Sequence, residues 1–343
     1  MARKALGLDL DYDAIRAVEV LRKGRSRLVA KLAQYPLASG TIADGKLAKP
    51  EELVRSLNAL LQAEGFSAES TVLGIRSAWV TVKTHRLPHM TKRELDKALE
   101  FEIPDLVSFP VQSPRDICYD YFINSPRSDG ELEVVVVACP RQHLDPFIRV
   151  FRETDLSLEV IDVPALGWPA LLAQEGRRAF VEVSAEQTTI MVVFGQVFKV
   201  LRVVPIGSMH LQQGVQEAFG CSPQEAWDFL NQRDLDYLLL EGQGSKRLLR
   251  AAIQQFSGSV LQTLDFLRAQ ERAASFRSML DEVVLVGDVA EVAGFGDLLA
   301  KEVDLPVRPL DQLNLSVSFP GPQPARLSAF GSALALAARG VEA

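Results

Sequence analysis

The order of the predicted secondary structure elements repeats along the chain, and this repetition constrains the fold more than any other feature. Residues 5–20 and 26–35 alternate in hydropathy on either side of a short basic turn, which predicts a β-hairpin. Residues 180–183, 188–194 and 197–204 predict a meander of three strands. In both halves, segments with the spacing of amphipathic helices follow the strands. The pattern therefore predicts an α/β protein with two lobes, each of which begins with paired strands.

The length of the chain agrees with this division. A chain of 343 residues can bury roughly three quarters of its extended surface, and such chains usually form more than one folding unit. The predicted units, in order, are the first lobe (1–75), an inserted α+β module (76–153), a return to the first lobe (154–175), the second lobe (176–208), a helical subdomain (209–280), the rest of the second lobe (281–326) and a C-terminal helix (327–343).

The inserted module has its own helix signals. A strand is predicted to begin at Trp79, and Thr91 followed three residues later by Glu94 predicts the capped start of a helix. Pro104 is predicted to end that helix. Two more strands and a second helix follow, so the module is predicted to end near residue 153.

Charge and hydropathy exclude two classes of function. The chain has 37 Lys and Arg residues against 44 Asp and Glu residues, a net charge of -7, whereas a nucleic-acid-binding protein needs a basic face. The most apolar stretch, residues 190–206, contains Lys199 and Arg202 and reads as paired strands, because a membrane span needs about 20 apolar residues. Nucleic acid binding and a membrane span are therefore not expected.

Targeting and cysteine patterns indicate a cytoplasmic protein. The first ten residues contain no apolar segment followed by a cleavage site of small residues, so no secretion signal is expected. Cys118, Cys139 and Cys221 are far apart and form no Cys-x-x-Cys pair. We expect three reduced, buried thiols.

Short segments along nearly the whole chain resemble a known family in order and spacing. They include Gly7-Leu8-Asp9-Leu10 and Ala329-Phe330-Gly331-Ser332-Ala333-Leu334. The full set covers residues 7–10, 16–20, 87–90, 94–95, 98–102, 109–110, 120–121, 159–163, 165–166, 202, 205–207 and 329–334. These segments resemble the type IV pilus assembly protein PilM family, which is itself similar to the cell-division protein FtsA. The resemblance implies a two-lobed actin-like (ribonuclease H-like) ATPase fold, with the inserted module as its SHS2 or 1C subdomain.

The resemblance also implies the position of a nucleotide site. Actin-like proteins hold phosphates against glycine-rich turns, whose backbone N–H groups approach the oxygens, and acidic side chains place Mg²⁺. The residues that match this site are Asp9, Asp11, Glu182, Ser184, Thr188, Gly207, Gly287 and Asp288.

This nucleotide site departs from the family pattern. Asp11 and Asp13 stand in the first turn where glycine and serine-type residues are usual, and Ser184 replaces a glycine in the second. In the adenosine segment Gly287 and the later Gly294 remain of a longer glycine run. The turns are therefore predicted to have lost donors and gained acids.

The sizes of the opposing interaction energies indicate that the predicted nucleotide site is degenerate. A carboxylate about 4 Å from one phosphate charge costs about 4 kcal/mol at an effective dielectric constant of about 20. A backbone hydrogen bond to a charged oxygen returns only about 1.5–3 kcal/mol. We therefore predict weak or absent ATP binding, no cofactor and no ATPase activity.

The alternating acids Asp9, Asp11 and Asp13 resemble half of a calcium loop but lack its glycine and distal glutamate, so no metal site is predicted.

Catalysis by a nucleophile is not expected. Ser184 and Ser208 have no histidine motif beside them, and the four histidines are scattered. No catalytic residue is predicted.

The family resemblance implies a scaffold that binds protein. It implies a cytoplasmic adaptor, peripheral to the inner membrane, that binds the N-terminal tail of a PilN-like bitopic protein and contacts the assembly ATPase and other platform proteins. Peptide capture of this kind uses apolar anchors in a groove. The expected groove residues, in and beside the insertion, are Leu87, Leu99, Phe101, Val107 and Phe109.

Three alternatives remain open at this stage. The first is an active actin-like ATPase of the same machine. The second is a soluble component like GspL of type II secretion, although this chain lacks the membrane span of that protein. The third is a division protein like FtsA, which ends in a basic amphipathic helix, whereas residues 335–340 contain only Arg339 as a basic residue.

Overall fold

The computed structural model describes residues 3–43, 45–75, 80–126 and 130–342, apart from the side chains of Ser125 and Pro126. Trp79, where a strand is predicted to begin, and residues 76–78, where the predicted insertion begins, lie outside the described residues, as does Ala343. The strands in order are β1 (Arg3–Leu10), β2 (Ala14–Lys23), β3 (Ser26–Pro36), β4 (Ile42–Ala43), β5 (Lys46–Leu47), β6 (Ser70–Gly74), β7 (Thr81–Pro88), β8 (Ile117–Pro126), β9 (Glu131–Pro140), β10 (Leu158–Asp162), β11 (Arg177–Val183), β12 (Thr188–Phe194), β13 (Val197–Val204), β14 (Glu282–Val286) and β15 (Val307–Pro309). The α-helices are α1 (Pro50–Glu64), α2 (Lys92–Leu106), α3 (Arg141–Phe151), α4 (Ser208–Phe219), α5 (Pro223–Gln232), α6 (Leu235–Leu240), α7 (Arg247–Gln270), α8 (Phe276–Met279), α9 (Phe295–Val303) and α10 (Gly331–Gly340).

The first lobe is built on a sheet with the strand order β10-β6-β1-β2-β3. Strands β1 and β2 are antiparallel, whereas β6 runs parallel to β1. Helix α1 begins with Pro50, buries Leu53, Leu57 and Leu60, and ends at Gly65 in the left-handed conformation. Helix α10 contacts β1, β2 and β6, and its small residues are almost all buried. The central strands are therefore covered on both sides, which explains their continuous apolar sequence.

The second lobe repeats this plan with the strand order β13-β12-β11-β14-β15. Strands β11 to β13 form the antiparallel meander that the sequence predicts, and β14 joins β11 in parallel. Helices α4 to α8 occupy residues 208–279, close to the predicted helical range of 209–280. Helix α7 is the longest of them at 24 residues. Its buried face forms a common core with α4, α5 and the sheet.

The insertion is a small sheet covered by one helix. Its strand order is β7-β9-β8, so β8 lies at an edge. Helix α2 has the capping box of Thr91 and Glu94 that the sequence predicts, and it continues through Pro104 as far as Leu106. Pro104 therefore does not end the helix as predicted.

Helix α3 belongs by packing to the first lobe. Phe147, Val150 and Phe151 lie in the same core as Leu6 and Leu57. The amphipathic spacing of α3 shows that it has one buried face but not which sheet covers it. Its packing places the end of the insertion at β9, earlier than the predicted boundary at residue 153.

Asn124 in β8 connects the insertion to the second lobe. Its side-chain amide donates to the carbonyl of Phe198 in β13 at 2.9 Å, and its carbonyl oxygen accepts the Phe198 N–H at 2.8 Å. Strand β13 is an edge strand, so the side chain of Asn124 satisfies backbone groups that no neighbouring strand reaches. Asn124 is 8% exposed, which makes this a buried link between the two units.

Replacing Asn124 with alanine is expected to reduce the free energy of unfolding by about 1–3 kcal/mol, because the backbone groups of Phe198 lose their partners inside the protein. Chemical denaturation of the whole chain measures this change. Asn124→Asp keeps the acceptor for the Phe198 N–H, but it turns a carboxylate oxygen toward the Phe198 carbonyl and toward Glu133, to which the amide donates at 2.7 Å. It should therefore lose at least as much stability as the alanine variant. An alanine variant as stable as the native chain would contradict the assigned link.

Two further predictions concern membrane-spanning segments and the burial of the three cysteines. None of the helices in the described ranges has the length and apolar character needed to cross a bilayer. All three cysteines are free, but only Cys139 is buried, whereas Cys118 and Cys221 are partly exposed. The prediction of three buried thiols is therefore wrong for Cys118 and Cys221.

Candidate functional site

The first β-turns of the two lobes bond directly to each other. In the turn after β1, the N–H of Asp11 donates to the carbonyl of Ala14 at 2.9 Å. In the turn after β11, the N–H and the hydroxyl of Ser184 both donate to the carbonyl of Gln187, at 2.9 and 3.0 Å. The Ala185 N–H then donates to the Asp11 carboxylate at 3.3 Å. A side chain of the first lobe thus takes a backbone donor of the second.

Arg16 lies between the lobes and bridges them. It is on β2, is 2% exposed, and its guanidinium donates to the Asp11 carboxylate at 3.3 Å. A second guanidinium nitrogen donates to Asp288, which follows β14 in the second lobe. Arg326 also approaches Asp288, at 3.8 Å, but is half exposed. One internal cation therefore joins carboxylates from both lobes.

The electrostatics of this cleft disfavour an additional anion. Loss of surrounding water, and then the neighbouring carboxylate of Asp11, raise the pKa of Asp13, while Arg16 acts in the opposite direction. Asp288 raises the same pKa further. A phosphate group in this position would meet several carboxylates, and it would have to compete with them for the buried guanidinium of Arg16.

Glu182 and Thr188, two further residues of the predicted nucleotide site, form hydrogen bonds within the chain. Asp9 is fully buried, and Glu182 accepts a hydrogen bond from the hydroxyl of Ser332 in α10. The hydroxyl of Thr188 donates to the carbonyl of Ile206 at 2.7 Å. Glu182 thereby joins β11 to α10, and Thr188 joins β12 to the segment that precedes α4.

The two predicted glycines are required by close backbone contacts. A Cβ on Gly207 would lie 2.2 Å from the carbonyl oxygen of Ala185. Gly287 has a φ of 85°, and a Cβ there would lie 2.8 Å from the carbonyl oxygen of Val183. Both positions are therefore explained by packing within the second lobe.

The five predicted groove residues are not brought together in one open groove. Leu87, Leu99 and Phe109 lie in the buried core between α2 and the insertion sheet, and Val107 packs against that core. Phe101 points away from it and is 84% exposed. The helical spacing of α2 identifies residues that share a face, but only the packing shows that this face is covered.

A cleft of about 460 Å³ opens instead between the insertion and the first lobe. Strands β8 and β9 form one wall, while β10, the 3₁₀-helix Pro164–Leu171 and α10 form the other. The lining is mostly apolar. Its members include Ile75, Val80, Phe122, Val137, Ala138, Leu144, Val160, Ile161, Val163, Leu166, Ala170, Ala335 and Ala338.

Charged residues and two thiols lie around the cleft. Asp162 forms an ion pair with Arg339, yet burial raises the pKa of Asp162 above its usual value. Cys118 and Cys139 face each other across β8 and β9, and burial raises the pKa of Cys139 to about 12. A second ion pair, between Arg27 and Glu342 at 3.2 Å, also borders the cleft. The cleft therefore contains an inert thiol and two ion pairs beside a large apolar surface.

Sequence reasoning missed both Arg16 as a site residue and this cleft. A signal for Arg16 existed, because a basic residue inside an apolar strand needs a buried acid as its partner. A signal for the cleft wall was the alternation in β8, which places Cys118, Asp120 and Phe122 on one side of the strand. Neither signal identifies the opposite wall, which comes from distant segments.

Comparison with known proteins agrees with this architecture. Two lobes on five-stranded sheets, with a C-terminal helix across the first, define an actin-like fold. The chain belongs to the family of the type IV pilus assembly protein PilM, whose family model matches residues 7–340. The predicted fold class and family are thereby confirmed.

Three solved structures are similar to this chain in fold. A chain of a PilM-PilN type IV pilus biogenesis complex is 21% identical, with 99% of both chains covered and a TM-score of 0.81. The ethanolamine utilization protein EutJ from Carboxydothermus hydrogenoformans is 14% identical over 97% of this chain and 89% of that one, with a TM-score of 0.56. MreB 5 of Spiroplasma citri, solved with AMPPNP, is 10% identical over 96% and 94%, with a TM-score of 0.52. All three share the fold with this chain.

Proposed function

We propose that this protein is a scaffold of the inner-membrane assembly platform of a type IV pilus, or of a related secretion machine. In this role it binds the cytoplasmic N-terminal tail of a PilN-like bitopic protein, and that partner holds it at the membrane from the cytoplasmic side. Membership of the PilM family and the likeness to a chain of a PilM-PilN complex support this proposal.

The observation that carries the proposal is the apolar cleft between the insertion and the first lobe. Its volume of about 460 Å³ falls within the range of roughly 300–1,000 Å³ of ligand pockets. Aliphatic side chains line both walls, so burial of apolar peptide side chains supplies the driving force. The edge strand β8 contributes one wall, which favours a ligand in extended conformation.

The second part of the proposal is that the protein binds no nucleotide and is not an ATPase. The support is Arg16, which forms ion pairs with both Asp11 and Asp288 from inside the chain and occupies the space between the lobes. An internal cation of this kind makes closure of the lobes independent of Mg-ATP. No cofactor is then needed for the protein to act as a docking platform.

Titration of a synthetic PilN-like tail peptide tests both parts. We expect the same affinity with and without Mg-ATP, and no binding heat when Mg-ATP alone is titrated at micromolar concentrations. Isothermal calorimetry measures both quantities. Micromolar binding of Mg-ATP would contradict the degenerate site, whereas a peptide that fails to bind would contradict the scaffold.

A further inference from the structure

A groove of about 360 Å³ on the second lobe has no role in the function proposed above. It lies along one stripe of helix α7 and shares no lining residue with the apolar cleft. The stripe follows helical spacing from Arg250 to Leu261, which is about 17 Å of helix. Its members are Arg250, Ile253, Gln254, Ser257, Gly258 and Leu261, and Leu239, Leu298 and Glu302 complete the groove. We call this site the α7 groove.

Gly258 at the centre of the α7 groove has no explanation inside the chain. Glycine in the interior of a helix is unfavourable relative to alanine. A Cβ at Gly258 would meet no atom of the described residues within 4 Å, so internal packing does not require the glycine. Close approach by another molecule is the remaining steric reason for a glycine at this position.

Ser257, next to it, offers a polar group to such a molecule. This residue is 7% exposed and lines the groove. Within the ranges that the structure describes, its hydroxyl forms no hydrogen bond, and it is not among the unbonded side-chain atoms that are sealed from water, so it faces the open groove. The hydroxyl is therefore available to a ligand that covers the groove.

Two opposite charges border the apolar floor. Arg250 and Glu302 are both exposed, and neither forms an ion pair with another described residue. Ile253, Leu261 and Leu298 provide the apolar surface between them. A ligand complementary to this groove has an apolar face with one acidic and one basic side chain beside it.

We propose that the α7 groove binds an amphipathic α-helix of a partner protein. Side chains three and four residues apart on α7 form ridges that pack into the grooves of another helix. Gly258 allows the two backbones to approach closely. The partner helix places an acidic residue opposite Arg250 and a basic residue opposite Glu302. Its apolar face covers Leu261, and a polar side chain at the edge of that face bonds the hydroxyl of Ser257.

Photo-crosslinking in the cells that produce the protein tests this site. A benzophenone amino acid replaces Gln254, which lines the groove, or Gln255, which is also exposed but lies outside it. We expect the probe at Gln254 to crosslink one other protein, at residues that lie three or four apart in the sequence of a helix. The probe at Gln255 should give at most a tenth of that yield.

Substitution of Gly258 separates binding from folding. Gly258→Ala is expected to raise the melting temperature by about 1–2 °C, because alanine favours the helix and finds open space. Gly258→Leu is expected to lower the Gln254 crosslink at least about tenfold by filling the groove, which corresponds to about 1.4 kcal/mol. Gly321→Leu is the control, since a Cβ at Gly321 also meets open space in the described part of the chain.

Each other result overturns the proposal. Equal crosslinking from Gln254 and Gln255, no crosslink at all, or an unchanged yield in Gly258→Leu would show that the groove is not a docking site. Crosslinks between two copies of this chain would identify self-association instead. Crosslinks to a segment without helical periodicity would contradict the assigned partner chemistry.

Discussion

Replacing Arg16 with alanine is expected to lower the free energy of unfolding by about 3–5 kcal/mol, because the buried carboxylates of Asp11 and Asp288 would lose their common cation. Arg16 is 2% exposed, so water would not readily solvate the two carboxylates once the guanidinium is removed. Because the two acids come from different lobes, the variant should also open the space between them. Thermal and chemical denaturation measure the stability, and small-angle scattering measures the opening.

Arg326 provides the matched control. It lies 3.8 Å from the same Asp288 but is half exposed, so Arg326→Ala should change the free energy of unfolding by less than about 1 kcal/mol. Removing an acid with the arginine, as in Arg16→Leu with Asp288→Leu, should recover part of the lost stability, because one buried charge no longer lacks a partner. Equal effects of Arg16→Ala and Arg326→Ala would refute the assigned role of Arg16.

Replacing Phe122 with aspartate is expected to weaken binding of the PilN-like tail peptide about 30-fold, equivalent to about 2 kcal/mol. Phe122 lies in the wall of the apolar cleft and is 39% exposed, so its ring is available to a ligand. The substitution removes apolar contact area and places a charge where apolar peptide side chains would be buried. Fluorescence anisotropy with a labelled peptide measures the change.

Phe101→Asp is the control on the same subdomain. Phe101 is 84% exposed on the outer side of α2 and does not line the cleft, so its replacement should leave peptide affinity unchanged. Circular dichroism and the melting temperature of both variants show whether the insertion remains folded. Loss of affinity in Phe101→Asp alone would restore the groove predicted from the sequence.

The general fold was predictable because its signals are local and repeat in both lobes. The hairpins, the capping box at Thr91 and the helical range before residue 280 each follow from spacing within about 15 residues. Helix α3 was assigned to the wrong packing partner because its amphipathic pattern shows a buried face without identifying what covers it.

The candidate sites were less predictable because they are formed by distant segments. Asp11 and Asp288 were both identified as cleft residues, but their joint partner Arg16 was taken only as part of a strand motif. Leu99 and Phe109 have the apolar character of a binding groove, yet the same character suits the core of a small module. Distinguishing these possibilities requires knowing which surfaces are covered by packing.

The two hydrogen bonds between Asn124 and Phe198 attach β8, one wall of the cleft, to strand β13 of the second lobe. A rotation of the sheet that contains β13 would carry β8 with it and change the width of the cleft. Because coupling between two equilibria is reciprocal, a peptide that binds more tightly at one width of the cleft would shift the rotation of the sheet by the same coupling free energy. A mechanical signal could therefore pass between the docked tail and the far lobe without any hydrolysed phosphate.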